Sequence, residues 1–204
     1  DLVPAQNLLA NPPKPMLKQD VSRQMLQIQV WVAQEETDDA IDGLTELLTR
    51  HPNNADLHYF AGVTWKQLAR QVGLFSKMGT YEKAINAFIR AGQLAPNNAK
   101  FLRKQASSYG QPDSLGGDAE KQRPMLAKIQ ALDPIYGYIA AMDLAQNERK
   151  LDYGTSLAEE GIAMYPNSFI LIERAAQMHW TNDNLSRAQA LFLKACQMPP
   201  PAGD

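Results

Sequence analysis

The chain has 204 residues, a formal net charge of −2 and 45% hydrophobic residues. It can therefore bury one sizeable core or stack several small units, and its near-neutral balance argues against non-specific nucleic-acid binding. The single cysteine, Cys196, leaves no intrachain disulfide and no thiolate cluster for zinc, and no apolar run approaches the roughly 18 residues of a membrane span.

Residues 1–18 form a proline-rich opening that we expect to be extended and weakly held, because proline lacks a backbone donor. The chain begins at Asp1 rather than Met, which indicates that an export signal or an expression tag was removed. Such an opening suits the linker after a cleaved export signal. It predicts an exported, periplasmic protein, with the cytoplasm as the alternative.

Helical periodicity begins at Val21 and continues to Val32. Thr37 is predicted to cap a second helix, which Pro52 ends. We interpret the acidic run at residues 35–39 as a solvated helix start, where the helix dipole favours carboxylates, rather than as a metal or acid–base cluster.

The next pair begins at Asn54, and the small residues Ala61 and Gly62 mark a place where two helices can cross closely. Between Arg70 and Thr80 the chain is about ten residues longer than a short helix–helix connection. Because this segment is apolar, it either prolongs a helix or folds back over it.

The helix predicted from Thr80, with Thr80 as its cap, carries the clearest pattern. Ala84 and Ala91 are small enough to let a second helix approach, while Phe88 between them fills the gap. Pro96 ends this helix.

The loop at residues 110–118 contains Gly116 and Gly117, which we interpret as a turn rather than a phosphate cradle, since the required spacing and a preceding strand are missing. Asp118 is predicted to cap the following helix. Pro124 requires that helix to kink or to begin late.

Two later helices repeat the pattern of small residues. In one of them Gly154 and Gly161 take the small positions, which indicates close helix contact, because each interior glycine costs about 1 kcal/mol against alanine. The last helix repeats it at Ala188, Phe192 and Ala195.

The last helix also carries apolar residues outside these positions, namely Ala190, Leu191, Leu193 and Cys196. They predict weak homo-association through residues 188–198. Cys196 itself is expected to be a small core residue rather than a nucleophile.

The prolines that close these pairs stand at positions 52, 96, 134, 166 and 200, so the spacings scatter about 34 residues. A period near 34 with the Ala-x-x-x-Phe-x-x-Ala pattern resembles the tetratricopeptide repeat. The resemblance is specific in the second and fifth repeats, fair in the first, and degenerate in the third and fourth. In the third repeat Gln122 replaces the small residue. The runs SLGGDAEK and LDPIYG are also similar to exported bacterial proteins of this class.

The resemblance implies an all-α fold, a right-handed α-solenoid of five helical hairpins over residues 19–201. The predicted repeats are residues 20–53, 54–97, 98–134, 135–166 and 167–200. In such repeats the first helix of each pair lines a concave groove. The groove positions would be Tyr59, Lys66, Lys100, Arg103, Ser107, Asp143, Asn147, Glu173, Gln177 and Trp180.

The resemblance implies a scaffold that binds a peptide or a partner protein in this groove, without a cofactor. The groove is expected to pass from basic at Lys100 and Arg103 to acidic at Asp143 and Glu173. The alternative is an assembly subunit that makes its contacts through the ends of the solenoid. We expect no enzymatic activity and no metal site, because the three histidines fall at unrelated helical phases.

Overall fold

The computed structural model describes residues 20–199 of the chain. Within this range 81% of the residues are helical, in ten α-helices and one short 3-10 turn, and no strand occurs. The predicted all-α fold is therefore confirmed. The opening segment predicted to be extended, residues 1–18, lies outside the described residues.

The helices follow one another through short turns, in the order α1 (Val21–Ala33), α2 (Thr37–Arg50), α3 (Ala55–Gln71), α4 (Leu74–Leu94), α5 (Ala99–Tyr109), α6 (Ala119–Leu132), α7 (Pro134–Asn147), α8 (Leu151–Met164), α9 (Phe169–Thr181) and α10 (Leu185–Cys196). A short 3-10 turn, Asp113–Leu115, lies between α5 and α6. No helix within residues 20–199 is long and apolar enough to cross a membrane.

The helices fall into two compact units. Unit 1 comprises residues 20–95 and 114–116 and contains α1 to α4, and unit 2 comprises residues 96–113 and 117–199 and contains α5 to α10. Each of the five predicted repeat ranges holds two consecutive helices, except that α7 begins at Pro134, one residue before the fourth range.

Unit 1 is built on close contact between α3 and α4. Ala84, Phe88 and Ala91 are all buried on one face of α4, as the sequence predicted. The ring of Phe88 lies against Gly62 of α3 so closely that a Cβ atom at position 62 would stand 2.5 Å from two of its ring carbons. The glycine is therefore part of the packing rather than a flexible point.

Unit 2 uses glycines of α8 in a similar way. A Cβ atom on Gly154 would lie 2.7 Å from Cε of Met178, and one on Gly161 would lie 3.2 Å from Cγ of Tyr138. Both glycines are buried, which confirms the close helix contact predicted for them.

The two predicted threonine caps are wrong. α4 begins at Leu74, so the apolar segment prolongs the helix and Thr80 lies inside it, where its hydroxyl donates to the carbonyl of Ser76 at 2.8 Å. Thr37 is the first residue of α2, and its hydroxyl donates to the carbonyl of Glu35 at 3.3 Å.

Helix α6 departs from the prediction in a different way. Asp118 precedes the helix but makes no capping hydrogen bond, and its carboxylate pairs with Lys121 at 2.5 Å. The helix begins at Ala119 with Pro124 inside it, so the late start that the sequence allowed does not occur.

The core position in α10 was also assigned wrongly. Leu191 is buried between Ala188 and Ala195, whereas Phe192 is 36% exposed. Residues 191 and 192 lie on either side of the line through the two alanines, and the neighbouring helices cover the side of Leu191. Cys196, expected in the core, is exposed.

Candidate partner-binding face

The first helices of the three hairpins in unit 2 form one layer, with α7 in contact with both α5 and α9. Ala106 of α5, Ala140 of α7 and Ala176 of α9 are buried. Small side chains allow helices to approach closely, so the polar residues that these helices carry come within reach of one another. We call the predicted positions on these three helices the α5–α7–α9 face: Lys100, Arg103, Ser107, Asp143, Asn147, Glu173, Gln177 and Trp180.

A charged network crosses this face and joins all three helices. Arg103 donates from Nε to Oδ2 of Asp143 at 2.7 Å and from Nη2 to Oδ1 at 3.1 Å. Arg174 donates from Nε to Oδ1 of Asp143 at 2.8 Å and from Nη2 to Oε1 of Gln146 at 2.7 Å. One carboxylate on α7 therefore receives hydrogen bonds from arginines on both neighbouring helices.

The network is largely removed from water. Asp143 and Arg174 are each 8% exposed. Burial raises the pKa of the Asp143 carboxyl, but Arg103 and Arg174 together outweigh burial and hold its pKa below the usual value. Desolvating such charges is costly, and apolar residues of similar volume are often as good for stability or better. The network fixes the positions of side chains more than it adds stability.

This pairing corrects the predicted charge gradient. Arg103 and Asp143 neutralise each other instead of marking a basic and an acidic end, and Arg174 brings positive charge to the helix that was expected to be acidic. The sequence analysis missed Arg174 and Gln146. Arg174 follows Glu173 between apolar residues of α9 and lies 31 residues after Asp143, close to one repeat. This spacing was the available signal.

The other predicted positions on this face are arranged around the network. Trp180 is 62% exposed at the end of α9, and one turn before it Gln177 donates to Glu173 at 3.4 Å. Asn147 is exposed, whereas Lys100 and Ser107 are partly buried.

Two predicted positions lie in unit 1 instead. Tyr59 is partly buried and packs edge-on against Phe88, with 5.8 Å between ring centroids. Lys66 is exposed on α3. Binding by any of the ten positions stays a prediction.

The structure also explains the departure at Gln122. This buried side chain packs against Gly110 at the end of α5, where a Cβ atom would stand 2.5 Å from Oε1 of Gln122 and 2.1 Å from Nδ2 of Asn147. The small residue of this contact follows the last residue of α5 and the large one lies on α6, as Gly62 and Phe88 do in unit 1.

A second charged cluster links the last three helices. Arg187 of α10 donates to both carboxylate oxygens of Glu159 on α8, at 2.7 and 2.6 Å. The hydrogen bond from Arg187 is the main reason that the pKa of Glu159 is lowered. Nε2 of the buried His179 lies 2.9 Å from Glu159, although its angle does not meet hydrogen-bond geometry. This cluster ties α10 to its neighbours.

Within residues 20–199 no three histidine, cysteine, aspartate or glutamate side chains come close enough together to hold a metal ion. His58 is engaged with the carbonyl of Pro52 at 2.9 Å.

The fold defines the chain as a helical-repeat protein, since antiparallel hairpins follow one another and the first helices of neighbouring hairpins touch within each unit. Comparison with solved structures shows which repeat it is. A thermophilic TPR protein of Thermus thermophilus superposes with a TM-score of 0.60 at 19% identity, over 87% of this chain and 88% of its own. A tetratricopeptide repeat protein of Parabacteroides merdae superposes with a TM-score of 0.56 at 18% identity, over 98% of this chain and 75% of its own.

The chain therefore has the tetratricopeptide-repeat fold. Neither the scan against protein-family models nor the search of curated proteins gave a match.

Proposed function

We propose that this chain is a non-enzymatic interaction scaffold that binds an extended segment of a partner protein across the α5–α7–α9 face. The tetratricopeptide-repeat fold supports the general function. The observation that carries the location is the Arg103–Asp143–Arg174 network, which links the three helices of this face.

The network suits a binding face for a physical reason. A bound segment loses conformational freedom, and affinity is higher when the receptor side chains are already ordered. Bidentate pairing with Asp143 holds Arg103 in one orientation, and Arg174 is held between Asp143 and Gln146. The face can therefore receive a ligand without first ordering its central side chains.

Trp180 supplies the apolar contact that such a site needs. Tryptophan is enriched among residues that dominate interface energetics, because a large rigid surface is buried at low entropic cost. The side chain of Trp180 is mostly exposed and lies one turn from Gln177. We propose that the ring packs on the partner and that Gln177 and Asn147 donate hydrogen bonds to its backbone.

Selection of short peptides from a random library on the intact chain, followed by calorimetry, tests this function. We expect Trp180→Ala to weaken the binding of the selected peptides by tenfold or more, which corresponds to about 1.4 kcal/mol of binding free energy. Met164→Ala on α8 is the matched control, because Met164 is a large apolar residue with 64% exposure outside the face. If the selected peptides bind both variants with the same affinity as the native chain, the binding site lies outside this face.

We also propose that the protein is exported. The proline-rich opening supports this location. Fractionation of cells that express the complete gene tests it, and a chain found wholly in the cytoplasm would overturn it.

A further inference from the structure

Helix α1 has a second buried side. Ile28 and Val32 belong to the core cluster of unit 1, and α1 packs on α2 and α3. Val30 is rotated by about 200° from both residues, so it lies on the opposite side of the helix. Only 4% of its surface is nevertheless exposed to water. This valine, on the outer side of the first described helix, therefore has a cover.

Comparison with α9 shows what this position contacts. In the hairpins that α1 and α9 begin, one residue between the two helices has a positive φ, 61° at Glu35 and 58° at Asp183. Val30 and Met178 each lie five residues before that residue. Met178 packs on the preceding helix, because a Cβ atom on Gly154 of α8 would stand 2.7 Å from its Cε. The position of Val30 thus faces the part of the chain that precedes its own helix.

The chain before α1 consists of residues 1–19, and its length decides which part can reach Val30. Val30 comes ten residues after Asp20, the N-cap of α1, and lies about 15 Å further along the helix axis. Met16 and Leu17 are three and four residues before Asp20. Four extended residues span at most about 14 Å, so the backbone at these two residues falls short of Val30.

Leu8 and Leu9 are the next large apolar residues toward the start of the chain. The eleven residues from Leu9 to Asp20 span about 34 Å in the extended form that their prolines favour, more than twice the distance to Val30. We propose that the segment before α1 runs back along this helix, so that Leu8 and Leu9 cover Val30 and cap the first hairpin.

The outer side of α1 is thus an interaction surface whose partner is the opening segment of the same chain. The end units of helical-repeat proteins need such a cap, because each has a neighbouring repeat on one side alone. The contact uses no residue of the α5–α7–α9 face and goes beyond the proposed binding function. It replaces the weakly held segment that the prolines alone predict.

NMR of the full chain, labelled at its leucine and valine methyl groups, tests the contact directly. We expect nuclear Overhauser cross-peaks from Val30 to Leu8 or Leu9, with the same relative intensity in dilute and concentrated samples. Loss of the Val30 signals in Val30→Ala assigns them. Cross-peaks that form only between differently labelled copies would give the cover to a second molecule and overturn the proposal, as would a spectrum without cross-peaks from Val30 to either leucine.

A double-mutant cycle in chemical denaturation tests the same contact by its energy. We expect Val30→Ala to raise the equilibrium constant of unfolding tenfold or more, because a buried valine is truncated. Val63→Ala on α3 is the matched control, since Val63 is 37% exposed in the same unit, and it should change the constant less than twofold.

The second half of the cycle repeats Val30→Ala in a chain that already carries Leu8→Ala and Leu9→Ala. We expect the effect there to fall below threefold, because the cover has already been lost and contacting residues are not additive. A Val30→Ala effect as small as that of Val63→Ala, or an equal effect in both backgrounds, would overturn the proposal.

Discussion

In unit 1 the ring of Phe88 fills the space over Gly62, whereas in unit 2 a buried carboxylate with two arginines links three helices. The ring contact is apolar and stabilises through packing. The ionic contact is costly to desolvate and specific in direction. Close packing therefore shapes the hairpins of both units, and unit 2 adds a charged network that fixes side-chain positions on the proposed binding face.

The largest effect is expected when the carboxylate in unit 2 is removed. Asp143→Ala leaves Arg174 buried without its charge partner, and such a loss costs about 3–5 kcal/mol. Chemical denaturation measures it. Asp152→Ala is the control, because this exposed carboxylate accepts one surface hydrogen bond from Asn182, and we expect a change below about 1 kcal/mol. Equal losses in both variants would remove the special role of Asp143.

Acid should weaken the same contact. The folded-state pKa of Asp143 is lowered, so its contribution is complete above the unfolded pKa of about 3.9 and is lost as the pH falls through the folded value. We expect the stability difference between the native chain and Asp143→Ala to shrink from about pH 5 downward. Denaturation curves at several pH values measure it, and a constant difference would contradict the assignment.

In unit 1 a smaller change tests the ring contact. Gly62→Ala places a Cβ atom 2.5 Å from the ring of Phe88, and overpacking of about 1–3 kcal/mol exceeds or cancels the gain of about 1 kcal/mol in helix propensity. Gly79→Ala is the matched control, since nothing lies within 4 Å of its Cβ position in the same unit, and we expect it to stabilise. Adding Phe88→Leu to Gly62→Ala should recover part of the loss.

The smallest effect is expected at the equivalent glycine contact of unit 2. A Cβ atom on Gly154 would meet the thioether of Met178, and a flexible methionine can move aside where a ring cannot. Gly154→Ala should therefore change stability by less than about 1 kcal/mol. Thermal unfolding of the two glycine variants compares them directly, and a larger loss at Gly154 than at Gly62 would reverse the comparison.

The sequence reveals the shape-based contacts more readily than the ionic ones. Ala84, Phe88 and Ala91 predict their own burial because they share one helix, and a period near 34 predicts the hairpins. The network could not be found in this way, because Arg103 and Asp143 are 40 residues apart on different helices. Pattern analysis placed both on one face, but it could not show that they bind each other.

The residues at which helices begin were also difficult to predict from the sequence. The start of α4 was missed because the pattern of small and aromatic residues marks the packed part of a helix, and Leu74 lies in the exposed part before it.

The most direct test of the central claim replaces the whole network with apolar residues, as Arg103→Met, Asp143→Leu and Arg174→Met in one chain. Replacement of buried ion pairs in this way is often neutral or stabilising, by about 1–4 kcal/mol. We predict that the triple variant is at least as stable as the native chain and yet binds peptides selected on the native chain at least tenfold more weakly in calorimetry. A stable triple variant with native affinity would contradict the account.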